Sequence, residues 1–366
     1  MRAVYLQLPY QIVRDSPTVK YYTDWTRFEK FLENPGEPTA GGFDARLLEK
    51  LGASPSILVG VRDRGVEPGL ELADVKPIGL KLFQFHVENL TLARKIPVRG
   101  DAVILLEKPL QGVKSVHLEL EVLQDSTLIL ASFSPSEAAG LLTVSLRTRV
   151  APGVSADIVE VLADSPGSST ALFHWASLDT GSRLRTLSLV VGGFADHVEE
   201  SYAVRGEFAG ALIRGALAAP ANSHVTFSTS TLQLARRTKV LVKVVGFASK
   251  GTVVHKGLST VERGSRGSTI RVESRLIPLT PDSRAYSAPM LEINSDEPAE
   301  ASHSASHSPI DPEALFYLRS RGLSERDAVR TIVRGMLVNL VSGDGASEPR
   351  VKHFLEEVET ALFQAG

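Results

Sequence analysis

The sequence predicts a mainly β protein whose long central region is flanked by short helical parts. Short apolar or alternating runs such as DAVILLE, SVHLELEVL and LLTVSLRTRV recur from about residue 56 to 295. Turn signals such as Pro152-Gly153 and Gly192-Gly193 separate these runs. Valine, isoleucine, leucine and threonine dominate them, and the 3.6-residue periodicity of amphipathic helices is scarce there. These observations together indicate many short strands.

The first 55 residues form the predicted N-terminal segment of helix and loop. DWTRFEKFL begins at a candidate N-cap, Asp24, and places its aromatic residues at helical spacing. FDARLLEKLGA, residues 43–53, predicts a second short helix that ends at Gly52. The sequence therefore predicts two helices before the first strand.

Two architectures can hold the strands of residues 56–300, the predicted core. One is a pair of β-sandwiches or barrels, and the other is a β-solenoid whose coils stack on one another. No Asn-Gly or Asp-Gly hairpin dipeptide links strand pairs there, which counts against hairpins. No strict repeat is visible, so composition favours the solenoid without excluding the sandwiches. Within this region, EFAGALIRGALA is compatible with either helix or strand.

Residues 301–366 form the predicted C-terminal helical domain. Asp311 is a candidate N-cap followed by Pro312, and Gly322 is placed to end that helix. Ser324 and Asp327 have capping-box spacing and introduce a second helix with one apolar stripe. SGDGASEPR, residues 342–350, is a predicted linker before a last amphipathic helix.

Composition narrows the functional classes. The formal net charge is −2, hydrophobic content is 43%, and no basic patch is interleaved with aromatics, so nucleic acid is not an expected partner. No signal-peptide pattern and no run of 18 apolar residues occurs, so we expect a cytoplasmic protein without a membrane partner. The chain has no cysteine, which excludes disulfides, thiolate catalysis and cysteine ligands from this chain.

Motifs for nucleotide, serine-hydrolase and zinc-protease chemistry are missing from the sequence. No G-x-x-x-x-G-K-[ST], G-x-G-x-x-G, G-x-S-x-G or H-E-x-x-H string occurs. Acidic pairs such as Glu199-Glu200 are predicted to lie on solvated faces. Six histidines are scattered through the β region and are predicted to be ordinary hydrogen-bonded residues: His86, His117, His174, His197, His224 and His255.

His303 and His307 differ from the other histidines because they lie four residues apart in ASHSASHSP. On a helix this spacing would place both on one face, a common two-ligand arrangement. The serine-rich segment ending in proline instead favours turn or extended structure. In a strand the two residues would lie about 13 Å apart, too far to share one metal ion. Local chemistry thus favours a solvated loop over a functional histidine.

Residues 274–337 resemble the sequences of a known protein family. PMLEINSDE (289–297), ASH (301–303) and IDPEALFYLRSRGLSERDAVRTIVRGML (310–337) resemble the C-terminal signature of the SufB/SufD family of iron–sulfur cluster assembly proteins. SRLIPLTPDSRAYSAPMLEI (274–293) is similar to the approach to that signature. KGLSTVERGSRGSTIRVESR (256–275) resembles the family's last coils, and SPTVKYYTDWTRF (16–28) its N-terminal segment.

The resemblance implies a right-handed parallel β-helix flanked by small N-terminal and C-terminal α-helical parts. Members pair through the β-helix as SufB–SufD or as homodimers, and their tail helices bind SufC, an ABC-type ATPase. His303 falls on the histidine that SufD-type members place at the SufB–SufD interface, where it is implicated in cluster or iron handling. The partner-binding helix-turn falls on Leu315, Phe316, Tyr317, Arg319, Ser320, Arg321 and Gly322.

Departures from the family pattern indicate which kind of member this is. Ala301 stands where many members have cysteine, and Ser304 replaces a glycine. SufB-type members use cysteine and glutamate for sulfur acceptance, so a chain without cysteine is expected to be SufD-like. His303 is then the candidate metal ligand, and no cofactor is expected to be bound stably. A transient iron–sulfur cluster would lie at a partner interface, with sulfur ligands supplied by the partner.

The expected function is therefore that of a non-enzymatic SufD-like subunit. It would pair with a cysteine-containing SufB-type scaffold, or with itself, and dock a SufC-type ATPase. Two alternatives remain open at this stage. One is a carbohydrate-active β-helix enzyme, which needs acids and bases clustered on one face. The other is a purely structural homodimer that binds only SufC.

Overall fold

The computed structural model describes residues 3–15, 21–43, 55–70, 77–342 and 348–363. Near the N-terminus lie two 3-10 turns (Val4–Gln7 and Trp25–Phe28), helix α1 (Glu29–Glu33) and, further on, helix α2 (Leu80–Glu88). At the C-terminal end lie α3 (Pro312–Ser320), α4 (Glu325–Val341) and α5 (Glu348–Phe363). Everything between α2 and α3 is strand or turn.

Twenty strands make up the rest of the described chain. They are β1 (Thr39–Ala40), β2 (Ile57–Val59), β3 (Gly65–Val66), β4 (Leu92–Val98), β5 (Ala102–Glu107), β6 (Pro109–Gln111), β7 (Val113–Val122), β8 (Ser126–Phe133), β9 (Leu141–Val150), β10 (Ser155–Ala163), β11 (Ser169–Leu178), β12 (Arg183–Val191), β13 (Ala195–Val204), β14 (Gly210–Ala219), β15 (His224–Gln233), β16 (Lys239–Ala248), β17 (Thr252–Val261), β18 (Thr269–Pro278), β19 (Arg284–Ile293) and β20 (Glu300–Ser306). β1 and β6 form a small antiparallel pair, and the other strands form two sheets.

The two large sheets are parallel and the chain alternates between them. Sheet I has the order β2-β5-β8-β10-β12-β14-β16-β18-β20, and sheet II has the order β19-β17-β15-β13-β11-β9-β7-β4-β3. From β7 onward each strand belongs to the opposite sheet from the one before it, so neighbouring strands in a sheet are one coil apart. This topology is a parallel β-helix, as the resemblance predicts. The alternative of hairpin-based sandwiches is wrong, because the chain alternates between the sheets and does not form hairpins.

The length of a coil explains why no strict repeat is visible in the sequence. Ser155 pairs with Arg183 and Leu141 pairs with Ser169, both 28 residues on. Between β7 and β20 the offset varies from 26 residues (Ser169 with Ala195) to 32 (Thr252 with Arg284). The turns absorb this variation while the strands stay in register, so the ladder is regular and the spacing along the chain is not.

Each sheet is apolar on both faces, as buried parallel sheets require. The inner faces share one core that runs through the solenoid and includes Leu146, Leu172, Val198 and Phe227. The outer face of sheet II is covered by the N-terminal segment and α2, through residues such as Trp25 and Phe83. The outer face of sheet I is covered by α4 and α5. The described helices therefore cover the outside of a filled solenoid.

The local predictions made from the sequence have different outcomes in the structure. Asp24 precedes a 3-10 turn, and its side chain makes no cap bond to the backbone. The predicted helix over 43–53 lies almost wholly outside the described residues. EFAGALIRGALA contains β14, because it pairs with β12 and β16 in sheet I. The predicted linker 342–350 is too long at its end, since α5 begins at Glu348.

Helix α2 is a correction to the prediction that the region after residue 56 is β-structure. Its sequence, LKLFQFHVE, alternates apolar and polar residues almost as a strand does, so periodicity alone favoured the wrong element. Tertiary packing decides the outcome, because Leu82, Phe83 and Phe85 are buried on sheet II.

Candidate functional site

The last coil of the β-helix has an open side. β20 pairs only with β18 in sheet I, and β19 pairs only with β17 in sheet II, within the part of the chain that the structure describes. Each strand therefore has a hydrogen-bonding edge without a neighbouring strand. Most residues of β19 and all of β20 are at least partly exposed. Such edges are templates for pairing with another chain.

His303 lies on the inward-facing side of this last coil. It pairs with Val272 in the parallel ladder, and Ala301 pairs with Ile270. Since Ile270 and Val272 belong to the inner core, and aligned residues of a parallel ladder point to the same side, His303 continues the inner face. It is nevertheless exposed, because no further coil of the described chain covers it.

The opposite sheet completes the rim of the open interior. Ser287 of β19 donates a hydrogen bond to Ser274 of β18 across the inside of the solenoid, at 2.7 Å. Leu291, also on the inner side of β19, is only partly buried. The rim is thus made of small, apolar or hydroxyl side chains, and His303 is the ionisable group on the inward side of β20.

The solvated loop predicted for ASHSASHSP, residues 301–309, is partly wrong. Glu300–Ser306 is a strand, and it extends past residue 300, the predicted end of the β-helix. Serine and alanine were misleading because an edge strand exposed on both faces needs no large apolar residues. His307 lies beyond the strand end and is exposed. Among the described residues, no group of three histidine or acidic residues could hold a metal ion.

Helix α3 presents the predicted partner-binding residues at the surface. The Asp311 side chain accepts a hydrogen bond from the Glu313 N–H at 2.9 Å, and Gly322, with φ of +95°, ends the helix. No residue of α3 is buried. Phe316 is 75% exposed and Tyr317 is 57% exposed, which is unusual for large aromatic side chains.

The remaining residues of the helix-turn support this surface. The Arg321 guanidinium lies 5.3 Å from the Tyr317 ring centroid, a cation–π distance. Ser320 donates a hydrogen bond to the Tyr317 carbonyl at 2.7 Å. Arg319 forms an exposed ion pair with Glu325 at 3.4 Å, and Leu315 packs partly against the cluster under the tail. The turn is therefore ordered although it is exposed.

The tail is firmly attached close to the open edge. Val333, Leu337 and Leu340 of α4 are buried on sheet I, and the predicted capping pair Ser324 and Asp327 starts this helix. A groove of about 330 Å³ separates α4 from the end of the sheet, lined on one side by β20 and on the other by α4. The two candidate surfaces, the open edge and the aromatic turn, are thus connected through one helix.

A buried polar cluster inside the solenoid was not predicted from the sequence. His174 Nδ1 lies 2.7 Å from Glu160 Oε1, and Thr148 contacts the other ring nitrogen at 2.9 Å. The Ser188 hydroxyl lies within hydrogen-bonding distance of both Glu160 and Glu200 and can donate to one of them. Burial, with the neighbouring Glu160 carboxylate, raises the pKa of Glu200 to about 7. These groups come from five consecutive strands, β9 to β13, so no local spacing in the sequence could have indicated the cluster.

The acidic pair Glu199-Glu200 is a second correction. Both residues are buried, with exposed fractions of 1% and 0%. Neighbours along a strand point to opposite faces, so Glu200 enters the interior while Glu199 lies under the N-terminal segment. There it accepts hydrogen bonds from the backbone N–H groups of Ile78 and Gly79, at 2.7 and 3.1 Å. The six scattered histidines, of which His86 lies on α2, are buried and hydrogen-bonded, which confirms the prediction for them.

Comparison with known proteins decides the family. The family described as "SUF system FeS cluster assembly, SufBD core domain" matches residues 111–336, which is more than half of the chain. The match begins just before β7 and ends within α4, so it includes the long strands, His303 and the whole of α3. This chain belongs to the SufBD family.

Curated relatives of the family agree with this assignment. An iron–sulfur cluster assembly SufBD family protein of Mycobacterium leprae is 45% identical over 74 residues, 20% of this chain and 19% of the relative. A Mycobacterium tuberculosis SufBD family protein is 38% identical over 98 residues, 25% and 24% of the two chains. The SufD protein of Bacillus subtilis is 33% identical over 89 residues, 24% and 20%. The matches thus span about a fifth to a quarter of these relatives.

The family assignment covers both SufB-type and SufD-type proteins, so the type of this chain has to be inferred from its own residues. The chain has no cysteine, and the similar protein of Bacillus subtilis is named SufD. None of the described helices is both long and apolar enough to cross a membrane.

Proposed function

We propose that this SufBD-family chain is a SufD-like subunit that helps to assemble or deliver iron–sulfur clusters. The observation that carries the proposal is the open last coil, where His303 stands on the inward face without a covering coil. A second β-helix whose own end is open could continue both sheets across β19 and β20. Main-chain hydrogen bonds would then supply affinity, and the inward side chains would supply specificity.

The proposed partner at this edge is a cysteine-containing SufB-type scaffold. A cluster needs soft thiolate ligands, and this chain offers none. His303 can add one imidazole nitrogen at the rim, so a shared site would combine ligands from two chains. The cluster is cargo in this account, and a self-paired chain could not supply sulfur ligands to it.

The proposed partner at the tail is a SufC-type ATPase. Phe316 and Tyr317 form an exposed aromatic pair on a helix with no buried residue, and aromatic side chains are typical anchors of protein interfaces. Arg319 and Arg321 add charge at the rim of this patch. Because α4 lines a groove with β20, movement of a docked ATPase would reach the open edge through one rigid helix.

Co-expression with a SufB-type and a SufC-type chain tests the proposal. We expect all three chains to co-purify, Phe316→Ala with Tyr317→Ala to release the ATPase, and Val338→Ala on α4 to leave the complex intact as a matched control. His303→Ala should lower the yield of cluster absorbance while His307→Ala does not. A complex that forms normally and is unaffected by His303→Ala would instead support the purely structural alternative.

The carbohydrate-active alternative is no longer needed, because the family assignment accounts for the β-helix. The outer faces of the central coils are covered by the N-terminal segment on sheet II and by the tail helices on sheet I. No second candidate function is therefore put forward.

A further inference from the structure

A hollow on the outer face of sheet II is used by none of the roles described above. It has a volume of about 370 Å³ and lies where β9, β11 and β13 end. Its lining consists of Arg147, Arg149, Ser177, Asp179 and Arg205. Three guanidinium groups thus surround one small space in a chain whose formal net charge is only −2. Such a concentration of positive charge in a concave site attracts anions.

The register of the strands creates this space. Arg149 pairs with Ser177, and Ser177 pairs with Ala203, so two small side chains follow the arginine across the sheet. Two residues earlier, Arg147 pairs with Trp175, which is large and buried. The small residues leave a hollow, and Arg147 lies at one side of it.

Glycine at position 206 keeps the hollow narrow. A Cβ atom there would lie 1.9 Å from the Thr180 nitrogen, so only glycine lets the two corners touch. The corner after β13, which carries Arg205, therefore packs directly against the corner after β11, which carries Asp179. Arg205 is exposed but its backbone is fixed, and its N–H donates to the Leu178 carbonyl at 3.0 Å.

Arg147, at the base of the hollow, is oriented before any ligand binds. Arg147 is 3% exposed, and its Nη1 lies 3.8 Å from Glu119 Oε1. One row further, Glu121 is paired with Lys95 at 2.5 Å. Among the described residues, Asp179 is the single acidic one in the lining, and Glu119 beside Arg147 offsets a second of the three positive charges, so the site keeps an excess of positive charge. A buried, pre-oriented guanidinium loses little conformational entropy when it binds an anion.

We propose that this hollow binds a phosphate-bearing small molecule through Arg147, Arg149 and Arg205. The planar fork of arginine matches the oxygen pairs of phosphate, and the Ser177 hydroxyl can donate one more hydrogen bond. The volume is at the lower end of the range for ligand pockets, so it suits a phosphate or diphosphate group with little attached to it. Asp179 limits the affinity by repelling the anion.

Calorimetric titration of the full chain with inorganic pyrophosphate tests this site at low ionic strength. We expect saturable binding that Arg205→Gln and Arg149→Gln each weaken on the order of tenfold, because each removes a charge-assisted contact. Asp179→Asn should strengthen binding. Arg183→Gln, which removes an exposed arginine at the start of β12 on the other sheet, should leave the affinity unchanged.

Three results would overturn the assignment. They are the absence of saturable pyrophosphate binding in the millimolar range, an equal loss of affinity in Arg183→Gln, and unchanged affinity in both hollow variants. A circular dichroism spectrum of each variant, compared with that of the parent chain, separates lost binding from lost folding. The buried Arg147 is left unchanged for that reason.

Discussion

The central coils and the last coil of the β-helix have the same backbone arrangement but opposite surroundings. Every residue of β13 is buried, whereas all of β20 is at least partly exposed. In the centre, polar side chains that enter the interior find partners there, as His174, Glu160 and Ser188 do. At the end, His303 has the same inward direction and no covering coil. The difference shows that side chains of the same direction are covered in the centre and exposed at the end, and it is the basis of the proposal that a partner meets the end.

The same contrast appears in the residue types. The central strands combine large apolar residues with polar groups that cost free energy unless they are paired. The last strand is made of alanine, serine, glutamate and one histidine, which tolerate exposure to water. Variants in the two regions should therefore have very different effects on stability.

The largest expected difference concerns packing. Phe227 is fully buried in the inner core, and its ring occupies the space beside Gly215, whereas Met290 on β19 is 52% exposed. Phe227→Ala should lower the free energy of unfolding by about 3–5 kcal/mol, because it opens a cavity. Met290→Ala should change it by less than about 0.5 kcal/mol. Urea unfolding of both variants checks this, and equal losses would show that the last coil is packed like the centre.

The second difference concerns two inward-facing histidines. His174→Ala leaves two buried carboxylates, Glu160 and Glu200, without the imidazole beside them, and should cost on the order of 3 kcal/mol. His303→Ala removes an exposed side chain and should leave stability unchanged while impairing cluster formation. Unfolding curves and cluster absorbance measured on the same two variants check this. Loss of stability in His303→Ala would mean that the histidine has a structural role.

The third expectation is acid sensitivity of the covered coils. Burial is the largest cause that lowers the pKa of His86 and His255 to about 3, and that of His117 and His224 to about 4. The unfolded chain binds protons at these histidines below about pH 6.5 while the folded chain does not, so stability falls as the pH falls. Glu200 and Asp196, whose pKa values burial raises, oppose this trend, since they bind protons only in the folded state.

Burial lowers the pKa of His197 as well, so these histidines outnumber the two carboxyl groups and the free energy of unfolding should fall between pH 6 and 5. Urea midpoints across this range measure it. His255→Gln should flatten the dependence by about one proton, because it removes one of these groups. A midpoint that is constant or rises on acidification would contradict the assignment of these histidines as neutral.

The fold was largely predictable because its main signals are local. Alternating runs with β-branched residues gave the strands, and the capping residues Asp311 and Ser324 gave the tail helices. The choice between solenoid and sandwich was not local, since it depends on which strands pair, and variable turn lengths hid the repeat. The resemblance to the SufB/SufD family, and not the local pattern, predicted the solenoid. Helix α2 was missed because burial of Leu82 and Phe85 on sheet II overrides an ambiguous pattern.

The candidate site was predictable only in part, and for a physical reason. His303 and the aromatic turn lie in one continuous stretch, so a sequence signature could mark them. The Glu160–His174–Glu200 cluster is assembled from β10, β11 and β13, and the arginine hollow from β9, β11 and the corner after β13. Residues separated by one coil become neighbours only through the register, which varies from coil to coil. No spacing rule could have joined them.

The central claim is that the open last coil pairs with a second β-helix. Because the chain has no cysteine, Ala301→Cys introduces a unique thiol on the inward side of β20, beside His303. A short bis-maleimide should then link this chain to a cysteine of a co-expressed SufB-type scaffold, as seen by mass spectrometry, while Gln124→Cys on an exposed corner gives no link. Absence of a link from position 301, or an equal yield from position 124, would contradict the claim.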